Sequence, residues 1–323
     1  MRALITGANG FLGAHLARRL AQRGDTVRCL VRRGSGADAL RGLSVETVEG
    51  DVTDPASLDP AMKDVDIVFH LAGIRRAPVR RTFLEVNAEG TRNVCEAMLR
   101  AGARRLVLAG SLAASGPSSP DRPKREEDPF EPREWYGESK AEAERIAFGY
   151  SGRLEVTSLR PGRIVGPGDR ENLPFFKIVH RGLKLDLLGP PRPIAFVDVD
   201  DVVELAILLA ERPEAVGQAF FSSGEALTLQ QMQDLLADSL GVKPRRLPVP
   251  PPLLRGLALA ADVVSRTTGR HLPLNRKLAR QLLAPAWTCS ADKAERLLGF
   301  RHTRGIAESI RRSAEWYRSR GWL

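Results

Sequence analysis

The sequence predicts an α/β chain: a doubly wound parallel sheet with helices on both faces, joined to a smaller, mainly helical C-terminal region. Three observations predict it. An apolar run, Arg2 to Ile5, leads straight into a glycine turn, Thr6-Gly7-Ala8-Asn9-Gly10-Phe11-Leu12-Gly13. Strand-like and helical patterns then alternate through the first half of the chain. After Pro161 the alternation loosens, and Gly166-Pro167-Gly168, Gly189-Pro190-Pro191 and Pro248-Val249-Pro250-Pro251-Pro252 punctuate short elements.

The glycine turn carries a physical role at each glycine. Gly7 lets the chain turn sharply, Gly10 lets the backbone approach a pyrophosphate, and Gly13 lets the next helix pack closely on the strand. The helix start then faces the anion. Leu12, Leu16 and Leu20 recur every four residues, the period of a helix with one buried face. With 29 glycines in 323 residues, G-x-x-G-x-x-G arises by chance about 0.23 times, so its position directly after a first strand carries the argument.

Six strands are expected: Arg2 to Ile5, Thr26 to Val31, Val45 to Val48, Asp66 to Phe69, Arg105 to Ala109 and Glu155 to Leu159. Helical stretches such as Arg81 to Ala101 and Trp135 to Tyr150 lie between them. Phe196 to Leu209 reads as one more strand and helix returning to the sheet. Residues 1–165 with 194–222 are therefore expected to form a dinucleotide-binding domain, and 166–193 with 223–323 a substrate-binding domain. Leu253 to Val264 is apolar apart from Arg255, Gly256 and Asp262, which suits a packing or lid helix or contact with a membrane surface.

Composition narrows the class. The chain is 43% hydrophobic and 27% charged, ordinary for a soluble enzyme. Met1-Arg2-Ala3 enters a strand at once, with no secretory signal pattern, so a cytoplasmic location is expected. Cys29, Cys95 and Cys289 lack the paired spacing of a metal site or disulfide framework, and no metal is expected. The net charge of +10 comes from arginines spread along the chain instead of one basic tract, which argues against nucleic acid.

The chemistry is carried by Tyr136-Gly137-Glu138-Ser139-Lys140, a Y-x-x-x-K pair whose spacing sets both side chains on one helix face. An ammonium beside a phenol favours the phenolate and brings the Tyr toward working pH, as a proton relay requires. Three tyrosines and eight lysines give such a pair about 0.07 times by chance, so context has to confirm it. Leu106 to Ser111 supplies that context, an apolar strand ending in a hydroxyl where the active site of such a sheet lies.

These residues resemble the extended short-chain dehydrogenase/reductase superfamily, the group of NAD-dependent epimerases and dehydratases with a Rossmann domain. The resemblance runs through the glycine turn, Asp51-Val52-Thr53-Asp54, His70-Leu71-Ala72-Gly73, Val86-Asn87 with Gly90-Thr91 and Asn93, Ser111, Tyr136 with Lys140, Arg160-Pro161-Gly162 and Gly166-Pro167-Gly168. It implies that Tyr136 exchanges the proton, Lys140 also holds the nicotinamide ribose, and Ser111 polarises the substrate oxygen. It also implies cofactor contacts at Gly7, Gly10, Phe11, Leu12, Gly13 and Pro161. Asp51 and Val52 would flank adenine, Leu71 and Ala72 would pass the ribose, and Asn87 would support the nicotinamide end or simply cap a turn. Relatives that look like this form homodimers through the helices around Asn93 and Tyr136.

The second strand ends in Arg32-Arg33-Gly34-Ser35 with no carboxylate, and Arg32 suits a 2′-phosphate, so NADP is expected ahead of NAD. Against the resemblance to nucleotide-sugar enzymes, Arg163 stands where they carry Asn, and Ile194 where they carry Arg. The chain looks more like the branch of 3β-hydroxysteroid dehydrogenases and dihydroflavonol reductases, judged by Leu30-Val31-Arg32, the proline-rich entry to Leu253 and Lys293-Ala294 through Phe300. A ketone/secondary alcohol oxidoreductase acting on a bulky, mostly apolar substrate is expected, with a nucleotide-sugar epimerase or dehydratase second and a non-catalytic NADP-binding regulator third. Arg75, Arg76, Arg80 and Arg81 either attract a substrate anion or are solvated, and Ser115 to Glu134 is expected to form a mobile flap.

Overall fold

The computed structural model describes residues 1–268 and 274–323. The first half runs β1 (Arg2–Thr6), α1 (Phe11–Gln22), β2 (Thr26–Val31), β3 (Glu46–Glu49), α2 (Asp59–Met62), β4 (Ile67–His70), α3 (Arg80–Phe83), α4 (Gly90–Ala101), β5 (Arg105–Ala109), α5 (Leu112–Ser115), α6 (Trp135–Phe148) and β6 (Glu155–Pro161). The second half runs β7 (Arg163–Val165), α7 (Leu173–His180), β8 (Leu183–Leu187), β9 (Ile194–Asp198), α8 (Val199–Glu211), β10 (Ala219–Ser222), β11 (Glu225–Leu227), α9 (Leu229–Leu240), β12 (Arg245–Val249), α10 (Pro251–Thr268), α11 (Arg276–Leu283), α12 (Asp292–Leu298) and α13 (Ile306–Ser319).

Seven parallel strands form the main sheet in the order β10-β6-β5-β4-β1-β2-β3, so the order reverses beside β1, where such sheets open a crevice. The strands are short apolar runs because both faces are covered. One face packs Leu16, Leu20, Val202 and Leu205 from α1 and α8; the other packs Val94, Met98, Ile146 and Ala147 from α4 and α6. Cys29, Cys95 and Cys289 are buried, and burial pushes each thiol up to about 12.

Two readings change. The strand expected from Phe196 is β9, which pairs with β7 and β11 in a separate three-stranded sheet, while α8 does cover the main sheet. The strand that closes the main sheet is β10, Ala-Phe-Phe-Ser, a fully buried run too short to show a period. The segment before Tyr136 is no loose flap: Ser118 N donates to Ala286 O, Lys124 N to Thr288 O and Ser290 N to Lys124 O. The Ser118 and Thr288 hydroxyls share a hydrogen bond of 2.8 Å. A tied backbone satisfies its own polar groups, and composition alone did not reveal the partner strand.

The C-terminal helix α13 is docked by charge. Arg312 pairs with Asp200 at 2.7 Å, and Asp201 accepts from the backbone of Thr303 and Arg304 at 3.2 and 3.1 Å. Tyr317 and Phe176 pack edge-on beneath it at 4.8 Å between ring centres.

Helix α6 is held on the sheet by a buried ion pair. Glu144, 1% exposed, accepts from Arg160 Nε at 2.9 Å and again from Arg160 Nη2, while the Ser158 hydroxyl donates to it at 2.8 Å. Arg160 also donates to Glu126 O at 3.1 Å and stacks on Phe130 and Phe221. A Cβ on Gly110 would lie 2.6 Å from Ser158 Oγ and 2.8 Å from Glu144 Oε2, so only glycine fits over the cluster. Replacing Glu144 with Gln is expected to leave the Arg160 charge uncompensated and to cost about 3–5 kcal/mol in urea unfolding. A loss well below about 1 kcal/mol would show that α6 is held by apolar packing alone.

Candidate active site

The site forms where β1, β4, β5 and β6 end. At β1 the chain reverses at Gly7, whose φ of +71° favours glycine and whose Cβ would sit 2.7 Å from Ala72 N. A Cβ on Gly13 would lie 2.3 Å from Gly7 O, so α1 packs hard on the turn. No side chain caps α1 and no acid stands in its first turn, which leaves its first N–H groups for an anion.

Behind the turn runs a closed hydrogen-bond chain. Ala72 N donates to Thr6 Oγ1, which meets His70 Nδ1 at 2.7 Å; His70 Nε2 meets Thr91 Oγ1 at 3.0 Å, and Thr91 donates to Asn87 O at 2.7 Å. Because the Thr91 proton is committed to Asn87, Nε2 carries the imidazole proton and Nδ1 accepts from Thr6. Burial, with the Lys140 charge adding to it, pushes His70 down to about 3, so the ring is a neutral connector.

Asn87 lies in a π-helical segment, Leu84–Glu89, between α3 and α4. Its amide accepts from Ile74 N at 2.8 Å and donates to Ile74 O and to Ser139 Oγ at 3.0 and 2.8 Å. Asn87 thus binds the β4 loop to α6, and Gly73 is needed beside it because a Cβ would touch Asn87 Oδ1 at 3.0 Å.

At β5, Ser111 caps α5, accepting from Ala113 N at 3.1 Å and keeping its own proton to donate. Helix α6 approaches so closely that a Cβ on Gly137 would lie 2.3 Å from Ala113 O, which brings the Tyr136 turn beside Ser111. Glu134 caps α6 by accepting from Tyr136 N and Gly137 N at 3.2 and 2.9 Å. Lys140, one turn along, is 4% exposed; burial lowers its ammonium to about 8, with Glu144 opposing.

A groove of about 1570 Å³ runs across these ends. Gly10, Phe11, Leu12, Leu71, Ser111, Tyr136, Lys140 and Pro161 all line it. Gly7, Gly13, Ala72 and Asn87 are outside the lining but adjoin it: Gly13 and Ala72 neighbour lining residues in sequence, Gly7 O accepts from Gly10 N, and Asn87 stands beside Gly73. Arg32, Asp51 and Val52 fall outside the lining too. Val52 is buried in the core against Gly90, and Asp51 accepts from Thr53 N and Oγ1 at 2.9 and 2.8 Å. Asn9, Ser35, Asp38 and Arg41 line the far end, with Asp38 and Arg41 paired at 2.6 Å. Ile194, Leu278, Leu282 and Trp287 add an apolar stretch to the lining, and Trp316 and Trp322 line it as well, Trp316 across Gly168 from Phe11.

The four arginines after β4 divide. Arg76, Arg80 and Arg81 pair with Glu171, Glu138 and Glu85 on the surface. Arg75 lines the groove, its guanidinium 5.5 Å from the centre of the Tyr136 ring. Arg163 reaches the groove too, bonded to Asn172 Oδ1 at 2.5 Å and lying over Phe175. Sequence reasoning missed Glu134, Glu144 and the bracing role of His70. Glu144 follows Lys140 by four residues, a spacing that marks a partner on the same helix face.

A nicotinamide dinucleotide fits such a groove: bare helix N–H groups stand at one point, and a buried ammonium lines another beside a phenol and a free hydroxyl proton. Fold and site define a short-chain dehydrogenase/reductase of the extended type, an enzyme. Residues 3–221 match the NAD dependent epimerase/dehydratase family, and the chain belongs to it. It is 33% identical to a ceramide reductase of Caulobacter vibrioides over 99% of this chain and 95% of the relative. It is 32% identical to sterol demethylase protein B of Methylococcus capsulatus over the whole of both chains. Among solved structures, gox2253 superposes with a TM-score of 0.85 at 29% identity, covering 100% of this chain and 99% of that one.

The Lys140 charge is held against its burial. Its ionised form is penalised in the fold wherever the pH lies below the unfolded value of 10.5, and fully so below about 8. Lys140→Met is therefore expected to stabilise the cofactor-free protein by about 1–3 kcal/mol at neutral pH, with the gain shrinking as pH rises from 8 toward 10.5, while turnover collapses. Thermal unfolding against pH checks this, and a variant less stable than the parent at neutral pH would refute it.

Proposed function

We propose that the chain interconverts a ketone and a secondary alcohol on a bulky, mostly apolar substrate, using a nicotinamide cofactor. The observation that carries this reading is one continuous groove whose lining brings together Ser111, Tyr136 and Lys140, residues of the glycine turn, and the apolar side chains of Ile194, Leu278, Leu282 and Trp287. The names of the ceramide and sterol relatives support the same substrate class.

When bound, the dihydronicotinamide supplies the hydride that adds to the carbonyl carbon. The Tyr136 hydroxyl gives its proton to the carbonyl oxygen in reduction and takes it back in oxidation. Ser111 donates a hydrogen bond to the same oxygen, which gains charge as the hydride arrives. Lys140 holds the nicotinamide ribose and, with the Arg75 guanidinium, favours the phenolate left behind. We place the substrate on residues 166–193 and 223–323, and the cofactor on the main sheet with Asp51 and Val52 toward adenine. The reading includes a homodimer through α4 and α6.

A nucleotide-sugar epimerase or dehydratase is the second reading. Arg170 and Arg320 on the groove wall favour it, since they suit a diphosphate. Against it, Arg163 is engaged with Asn172 and Ile194 offers no charge.

For the cofactor we favour NADP. Arg32 follows β2 with no carboxylate in ion-pair range among the described residues, Ser35 and Arg41 line the groove, and the nearby Asp38 is taken up by Arg41. Fluorescence titration is expected to show NADPH binding about tenfold or more tighter than NADH, and Arg32→Ala is expected to erase most of that margin. Equal affinity for the two would overturn the choice.

Tyr136→Phe is expected to lower kcat for ketone reduction about 10²–10⁴-fold while NADPH titration stays unchanged. In the parent enzyme, cofactor oxidation should match product one for one across a panel of steroid, long-chain and polyketide ketones. Turnover of a nucleotide sugar with no net cofactor consumed would decide for the second reading.

A further inference from the structure

Helix α10 has the wrong outer surface for a helix facing water. Its inner face buries Leu254, Ala258 and Ala261, and Leu254 and Ala258 pack with Ala279 and Leu282 of α11. Its outer face carries Leu253, Leu257 and Leu259, exposed by 50%, 49% and 51%, with Pro252, Gly256 and Ala260 between them. A helix apolar all round is ordinarily buried, and side chains exposed together on one surface mark contact with something apolar. The strand leading into it adds Leu247 at 47% exposed.

Charge indicates what that something is. Lys243, Arg245, Arg246 and Arg255 are exposed along β12 and α10, and none makes an ion pair among the described residues. From 242 to 265 the only acid is Asp262, half-buried. Leucines with unopposed cations match the interface of an anionic bilayer, where apolar side chains enter the acyl boundary and cations meet lipid phosphates. No helix among the described residues is long and apolar enough to cross a membrane, so α10 would lie in the surface plane.

We infer that α10 docks the enzyme on an anionic lipid surface, with Leu253, Leu257 and Leu259 in the bilayer boundary. The helix rests on α11, and α11 supplies Leu278, Gln281 and Leu282 to the groove wall. Docking through α10 therefore sets the groove one helix away from the source of an apolar ketone, and we take the substrate class to be a membrane lipid. That last step rests on the oxidoreductase reading; the docking does not.

The test is co-sedimentation of the full chain, without substrate, with phosphatidylcholine vesicles and with mixed phosphatidylcholine–phosphatidylglycerol vesicles. The protein is expected to pellet with the mixed vesicles and to be released by high salt. Leu253→Glu with Leu257→Glu is expected to weaken binding at least about tenfold with NADPH binding intact. Arg245→Gln with Arg246→Gln is expected to erase the preference for the anionic lipid. The inference is overturned if the parent stays in the supernatant with both vesicles, or if the leucine variant pellets equally well. It is overturned too if light scattering shows that the same leucines hold two copies together in vesicle-free solution. Vesicle binding and ketone reduction are separate readouts, so either can fail while the other stands.

Discussion

The site depends on the Glu144–Arg160 pair more than on any residue facing the groove. Glu144 projects from α6 one turn past Lys140, and Arg160 comes from β6, so a single buried contact fixes how the helix lies on the sheet. Two opposite charges taken out of water tolerate little misalignment, because each lost hydrogen bond leaves a charge uncompensated. The Tyr136 and Lys140 positions inherit that precision. Gly110 adds to it, since its missing side chain lets the loop that carries Ser111 lie directly on the cluster.

A second brace works from the opposite side without charge. The Thr6-His70-Thr91-Asn87 chain ties β1, β4 and the π-helical segment into one polar strip, and the Asn87 amide carries it on to Ser139 of α6. With its ring kept neutral, His70 can lie beside the Lys140 ammonium at no electrostatic cost. The helix that carries Tyr136 and Lys140 is thus clamped between an ionic contact and a neutral one, both inside the protein. Clamping of this kind preorganises the side chains it carries, so that they need little rearrangement.

The parts of the molecule legible from sequence were those with a local signal. The glycine turn, the strands buried on both faces and the Tyr136/Lys140 spacing are dictated by neighbours within a few residues, and all six expected strands fall within a residue or two of their observed ends. Contacts between distant segments left no such trace. Glu144 looked like one more charge on a helix until Arg160 arrived from β6, and Ser115 to Glu134 looked unstructured because its partners lie some 170 residues downstream. Strand β10 was lost because four consecutive buried residues carry no period. Val52 meets Gly90 far along the chain, whereas Asp51 closes its own turn on Thr53 two residues on.

The tie between Ser118, Lys124 and residues 286–290 joins the two halves of the chain at a sensitive place. The stretch it secures ends at Glu134, which caps the helix bearing the phenol, so whatever reshapes the C-terminal wall tugs on the reactive end of α6. The distal half is therefore not an independent cassette: a graft that fails to reproduce the stitching at Thr288 would also loosen the start of the helix that carries Tyr136 and Lys140.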